Sequence, residues 1–122
     1  MGKKHSIIKS FSYAFEGMAT AFKNEPNFKV QVIIAVLVLL SAIILKFPLL
    51  EMGLLVLTIG IVLILELINT ALEALVDLAS ERINPKAKIA KDVSAAAVLS
   101  SAILSVIVGT ILFLPKLLKL FL

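Results

Sequence analysis

MGLLVLTIGIVLILELINTALEALVD, residues 52–77, changes character halfway along its length. From Leu54 to Leu65 it carries no charged side chain, as suits a helix in hydrocarbon. Then come Glu66, Asn69, Glu73 and Asp77, separated by steps of three, four and four. At 3.6 residues per turn, those steps hold all four polar groups within about a quarter of the helix circumference. A charged side chain at the centre of a membrane helix costs about 2.5–3.5 kcal/mol even on a lenient scale. Three carboxylates on one stripe therefore imply a use for negative charge, either a divalent metal or a proton transfer.

Working outward, the runs Val30–Leu50 and Val93–Leu114 flank this stretch and each approaches the roughly 20 residues that cross a bilayer as helix. With 122 residues, 61% of them hydrophobic, the chain has far more apolar side chain than a soluble core of its size can hide. The expected fold is all-α and integral to a membrane. One membrane-embedded domain covers residues 1–122, with spans at about 30–50, 52–70 and 93–114. The first run is not a signal peptide, because it begins well inside the chain, lacks a small-residue cleavage pattern and is followed by two more spans. With no cysteine, disulfides and thiolate chemistry are excluded.

Residues 6–24 follow a different pattern. Ile7, Phe11, Phe15, Met18 and Phe22 recur at steps of three and four, with Lys9, Ser12, Glu16, Thr20 and Lys23 on the other faces. This predicts an amphipathic helix lying in the membrane interface or packed on the bundle. Asn24-Glu25-Pro26-Asn27 breaks it, since a proline disfavours helical geometry in the residue before it. Asn27 is the expected cap of the first span. Lys46-Phe47-Pro48 ends that span, Asn84-Pro85 marks the second turn, and Pro115 with Lys116 closes the third span. Ser94, Ser101, Ser105 and Gly109 form a stripe of small residues that lets helices approach closely.

The formal charge of +4 comes from residues that flank the spans, so it reads as topology signalling, with no nucleic acid partner implied. Lys3, Lys4, Lys9, Lys23 and Lys29 precede the first span, and Arg82, Lys86, Lys88 and Lys91 lie in or near the second connection. Lys46 alone marks the first connection, and Lys116 and Lys119 the tail. This bias places the N-terminus and the 78–92 connection in the cytoplasm. Glu66 lies 14 residues past Met52, roughly 21 Å at 1.5 Å per residue, which brings it towards the cytoplasmic interface of a core about 30 Å thick.

Familiar catalytic signatures are missing: no GxxxxGK[ST] loop, no GxGxxG, no HExxH and no Ser-His-Asp set, with the lone His5 in the basic terminus. What remains is hard oxygen donors, one amide and nearby lysines. Such donors suit Mg²⁺, which takes one or two protein carboxylates and completes its shell with water and phosphate. Phosphoryl transfer needs little more than metal, a cation and a base beside the attacking hydroxyl. Two other readings fit the same residues: structural ion pairs joining Glu73 or Asp77 to Lys88 or Lys91, and a small proton-coupled transporter using one intramembrane carboxylate.

Three ordered blocks carry a resemblance. Glu66-Leu-Ile-Asn69-Thr70-Ala71-Leu72-Glu73-Ala-Leu-Val76-Asp77 is similar to the E-x-x-N-[ST]-x-x-E-x-x-V-D signature of the small bacterial diacylglycerol kinases. Glu25 with Asn27-Phe28, and Ala90-Lys91-Asp92 followed by AAAVL, match in order and spacing. The resemblance spans residues 6–115 and implies a homotrimer in the bacterial inner membrane. Each subunit would have a surface helix and three spans, with active sites shared between neighbours at the cytoplasmic face. It implies transfer of the γ-phosphoryl group of ATP to a lipid alcohol, with Mg²⁺ as cofactor. Glu66 would be the catalytic base and Asn69 would orient the site. Glu25 and Glu73 would hold metal on the nucleotide phosphates, and Asp77, Lys91 and Asp92 would complete the nucleotide side. Ser6 stands where some relatives carry arginine, leaving His5 or Lys9 as the substitute basic contact. NPKAKIAKD and ILFLPKLL resemble the Gram-positive branch and imply undecaprenol as acceptor, with diacylglycerol as the alternative.

Overall fold

The structure, a computed structural model, describes residues 6–80 and 84–122. Four helices follow one another: α1 (Ile7–Asn24), α2 (Pro26–Ile44), α3 (Leu49–Ala79) and α4 (Pro85–Phe121). The last three are long and apolar enough to cross a membrane, whereas α1 is not. The fold is therefore the all-α, multi-pass membrane architecture expected from the hydropathy runs. Lys3, Lys4, His5 and Arg82 lie outside the described residues.

Each helix begins where local chemistry supplies a start. Ser6 caps α1 by accepting a hydrogen bond from the Lys9 backbone N–H at 3.2 Å. Asn84 does the same for α4 through the Lys86 N–H at 2.9 Å. The start of α2 departs from expectation, because the helix begins at Pro26 and the cap position is Glu25. Proline at the first helical position needs no N–H partner and has its φ already set, so it takes the place that Asn27 was expected to define. The Glu25 side chain makes no capping hydrogen bond, which leaves its carboxylate for other work.

The α2–α3 connection is closed by a Schellman pair: Phe47 N–H donates to the Ala42 carbonyl and Lys46 N–H to the Ile43 carbonyl, both at 3.1 Å. Lys46 occupies the left-handed region at φ 57°, where glycine is usual. The motif brings Phe47 onto Ala42, and these two pack with Leu55 and Leu112 as the buried apolar cluster joining α2, α3 and α4. Phe113 adds its ring to Phe47 at a centroid distance of 4.7 Å. Nearby, Lys116 ion-pairs with Glu51, in the first turn of α3, and stands 4.4 Å from the Phe47 ring centroid.

α4 does not end at Pro115 but continues to Phe121. Proline removes one backbone donor from the helix without forbidding the turns after it, and Lys116 fixes this region to α3 and to Phe47 of the α2–α3 connection. The most extensive helix contact is α3 with α4, and α2 lies on α3. α1 packs on α2 and touches α3, where Ala21 and Phe28 are buried. At 31 residues, α3 is about 46 Å long, so it outruns a hydrocarbon core of about 30 Å. Its later turns carry the polar stripe.

Candidate functional site

Glu66 and Asn69 are the buried polar residues of α3, at 2% and 8% exposure. Both face the bundle, as the spacing of the stripe requires. Around Glu66 the helices supply polar groups in place of a cation. From α2, the Gln31 side chain reaches this carboxylate and interacts with it, while its own Oε1 is buried without a hydrogen-bond partner. Glu25, at the head of α2, and Glu73, two turns along α3, stand near enough to act on it electrostatically. None of Glu25, Glu66 and Glu73 is in a salt bridge among the described residues. Confining like charges beside a buried carboxylate is unfavourable unless something else enters the site.

Asn69 links this group to α4. Its Nδ2 donates to Glu73 Oε1 at 3.3 Å, and its Oδ1 accepts from the Ser94 hydroxyl at 2.6 Å. One turn nearer the start of α4, Lys91 pairs with Asp77 at 2.5 Å. Glu73 thus lies between two cross-links, and its charge is felt at Lys91. Asp92 pairs with Lys88 at 2.5 Å on its own helix. Ion pairing was the competing reading of the outer carboxylates, and it holds for Asp77 but not for Glu73. The Lys91–Asp77 and Lys88–Asp92 pairs are largely exposed, so each contributes little to stability and opens readily for a stronger anion.

Among the described residues, no group of three or more His, Cys, Asp or Glu side chains is arranged to hold a metal ion within this chain. A magnesium held by one or two carboxylates, water and phosphate needs no such group. The unpaired, hard-oxygen Glu25 and Glu73 fit that requirement.

An apolar groove of about 400 Å³ runs between α2, α3 and α4, lined by Ala35, Leu55, Val62, Ala102 and Phe113, with Gln31 on its wall. Through Gln31 it adjoins the Glu66 carboxylate. Glu25, Glu66, Asn69 and Glu73, expected at one site, lie around one place in the fold, where Gln31 and the Ser94 hydroxyl join them although their spacing does not single them out. An amide inside the first apolar run was the available signal for Gln31, because a polar side chain there needs a partner. Ser6 is used as the cap of α1, and His5 lies outside the described residues.

Comparison with known proteins places these residues in context. The family model described as prokaryotic diacylglycerol kinase matches residues 12–113. A diacylglycerol kinase of Synechocystis sp. is 44% identical over 116 residues, 94% of this chain and 66% of the relative, so the chain spans just under two thirds of that protein's length. An undecaprenol kinase of Bacillus subtilis is 39% identical over 111 residues, covering 91% of this chain and 90% of the relative. A diacylglycerol kinase of Escherichia coli is 33% identical over 106 residues, 87% of each chain.

Proposed function

Since this chain belongs to the prokaryotic diacylglycerol kinase family and is an ATP-dependent lipid kinase, we propose that it moves the γ-phosphoryl group of ATP to the hydroxyl of diacylglycerol, giving phosphatidic acid. The observation that carries this reading is Glu66, buried without a cation beside two further unpaired carboxylates and next to an apolar groove. The groove suits the apolar body of a lipid whose hydroxyl then lies at Glu66.

Glu66 takes the proton as the hydroxyl oxygen attacks the γ-phosphorus, and the bond to the bridging oxygen breaks to release ADP. A carboxylate shielded from water by the bundle is well suited to that transfer. Glu25 and Glu73 would hold Mg²⁺, which neutralises phosphate charge when bound. Asn69 steadies Glu73 through its amide. Lys91 turns from Asp77 to the phosphates, with Asp77 and Asp92 completing the nucleotide side. Lys9 is the basic residue near the α1 cap for the lipid side.

The placement of lysines supports a site facing the cytoplasm from a bacterial inner membrane. The chain is read as a single domain over residues 1–122 forming a homotrimer with sites shared between subunits, on the family resemblance; the exposed apolar faces of the span helices suit lipid and neighbouring subunits alike. The Gram-positive likeness pointed to undecaprenol. Diacylglycerol is the better supported acceptor, because relatives from Synechocystis and Escherichia carry that activity in their names. The Bacillus subtilis relative keeps undecaprenol as the second reading. Purified protein offered radiolabelled ATP with each lipid separately decides between them. We expect a higher kcat/KM for diacylglycerol; a higher value for undecaprenol reassigns the acceptor, and no labelled lipid from either overturns the kinase reading.

A further inference from the structure

Eight serine and threonine hydroxyls among the described residues donate to a backbone carbonyl three or four positions earlier on their own helix. That is the default for a hydroxyl in an apolar helix, since it satisfies the donor locally. Ser94 departs from it. Its hydroxyl crosses from α4 to α3 and donates to Asn69 Oδ1 at 2.6 Å. The other side of the same amide donates to Glu73 Oε1. Ser94 also stands one turn beyond Lys91, so Ser94–Asn69 and Lys91–Asp77 bracket Glu73 between them.

Resting on the lipid-kinase reading above, we propose that Ser94 is a positioning residue for the nucleotide–metal site, holding the Asn69 amide so that it presents Glu73 to the incoming magnesium nucleotide. The physical reason is the burial of Asn69. Without the Ser94 hydroxyl, its carbonyl oxygen loses the donor it has in the folded chain, and an unmet buried acceptor is unfavourable. The amide relieves this by turning, and a turned amide no longer tethers Glu73. The hydroxyl acts only through Asn69, so its effect falls on nucleotide binding and not on the lipid.

The test uses full-length protein in detergent, titrated calorimetrically with magnesium and the β,γ-methylene analogue of ATP, together with lipid kinetics. Wild type is measured first; if it neither binds the analogue nor phosphorylates lipid, the kinase reading itself fails. Given an active wild type, Ser94→Ala is expected to weaken analogue binding by about three- to tenfold while the lipid KM stays within about twofold. Ser94→Thr, which keeps the hydroxyl, restores binding and also serves if the alanine variant folds poorly. In an Asn69→Ala background, Ser94→Ala adds no further loss, as expected of a residue acting through its partner. Unchanged binding in Ser94→Ala overturns the proposal. So does failure of Ser94→Thr to restore binding, or an equal loss in the Asn69→Ala background.

Discussion

Near its start α3 carries Glu51, and some four turns later it carries Glu66. The two carboxylates are treated differently. Glu51 sits in the first turn, where the helix dipole favours an anion, and is ion-paired with Lys116 beside the Phe47 ring. Its charge is spent within the fold. Glu66 is more deeply buried and meets the amide of Gln31, with Glu25 and Glu73 adding charge of the same sign. The first arrangement fastens α4 to α3 and is complete in itself. The second, on the function proposed above, is completed by cations and by the lipid hydroxyl that gives up its proton. A membrane bundle tolerates such a cluster when it serves chemistry, and on the function proposed above the two carboxylates divide structural charge from functional charge on a single helix.

Several substitutions sharpen or break that contrast. Glu66→Gln keeps shape and polarity but removes the base, so kcat should fall by about 10²–10⁴-fold while the protein elutes as wild type on size exclusion. Near-normal turnover removes the general-base assignment. Glu73→Ala or Glu25→Ala should weaken magnesium-nucleotide binding by about tenfold or more, about 1.4 kcal/mol, read by calorimetry in detergent; unchanged affinity counts against metal ligation. On the other side of the contrast, Lys116→Met should leave kcat within about twofold but lower the thermal midpoint. A double-mutant cycle with Glu51→Gln is expected to give a coupling of about 1 kcal/mol, and zero coupling would show the pair to be incidental. The smallest effect is at Lys46, whose left-handed backbone at φ 57° costs a non-glycine residue about 1 kcal/mol. Lys46→Gly should raise stability by about that amount without touching activity, and a loss of stability would mean that the lysine side chain is needed at the turn.

The same contrast explains what could be read from sequence. The spans were legible because long uncharged runs have few other structural uses, and the Glu66–Asp77 stripe was legible because helical periodicity puts those steps on one face. Interactions within one helix follow from spacing. Interactions between helices do not: Glu51 with Lys116 joins residues 65 apart, and Asn69 with Ser94 joins residues 25 apart. Ser94 therefore read as one of several small residues in a stripe, when its hydroxyl has a different partner from the others. The helix ends shifted for local reasons. Pro26 starts α2 where an asparagine cap was expected, and Pro115 lets α4 continue, because losing one hydrogen bond does not unwind a helix that is held on both sides of the gap.

The most direct measurement puts both carboxylates in one experiment: Glu66→Gln and Glu51→Gln, purified in parallel, each given radiolabelled MgATP and diacylglycerol, with thermal unfolding recorded on the same samples. We expect Glu51→Gln to label lipid at near wild-type rate from a less stable fold, and Glu66→Gln to label almost none from a fold at least as stable as wild type. Labelled lipid from Glu66→Gln at the wild-type rate, or its loss in Glu51→Gln, would contradict the division of the two sites into chemistry and support.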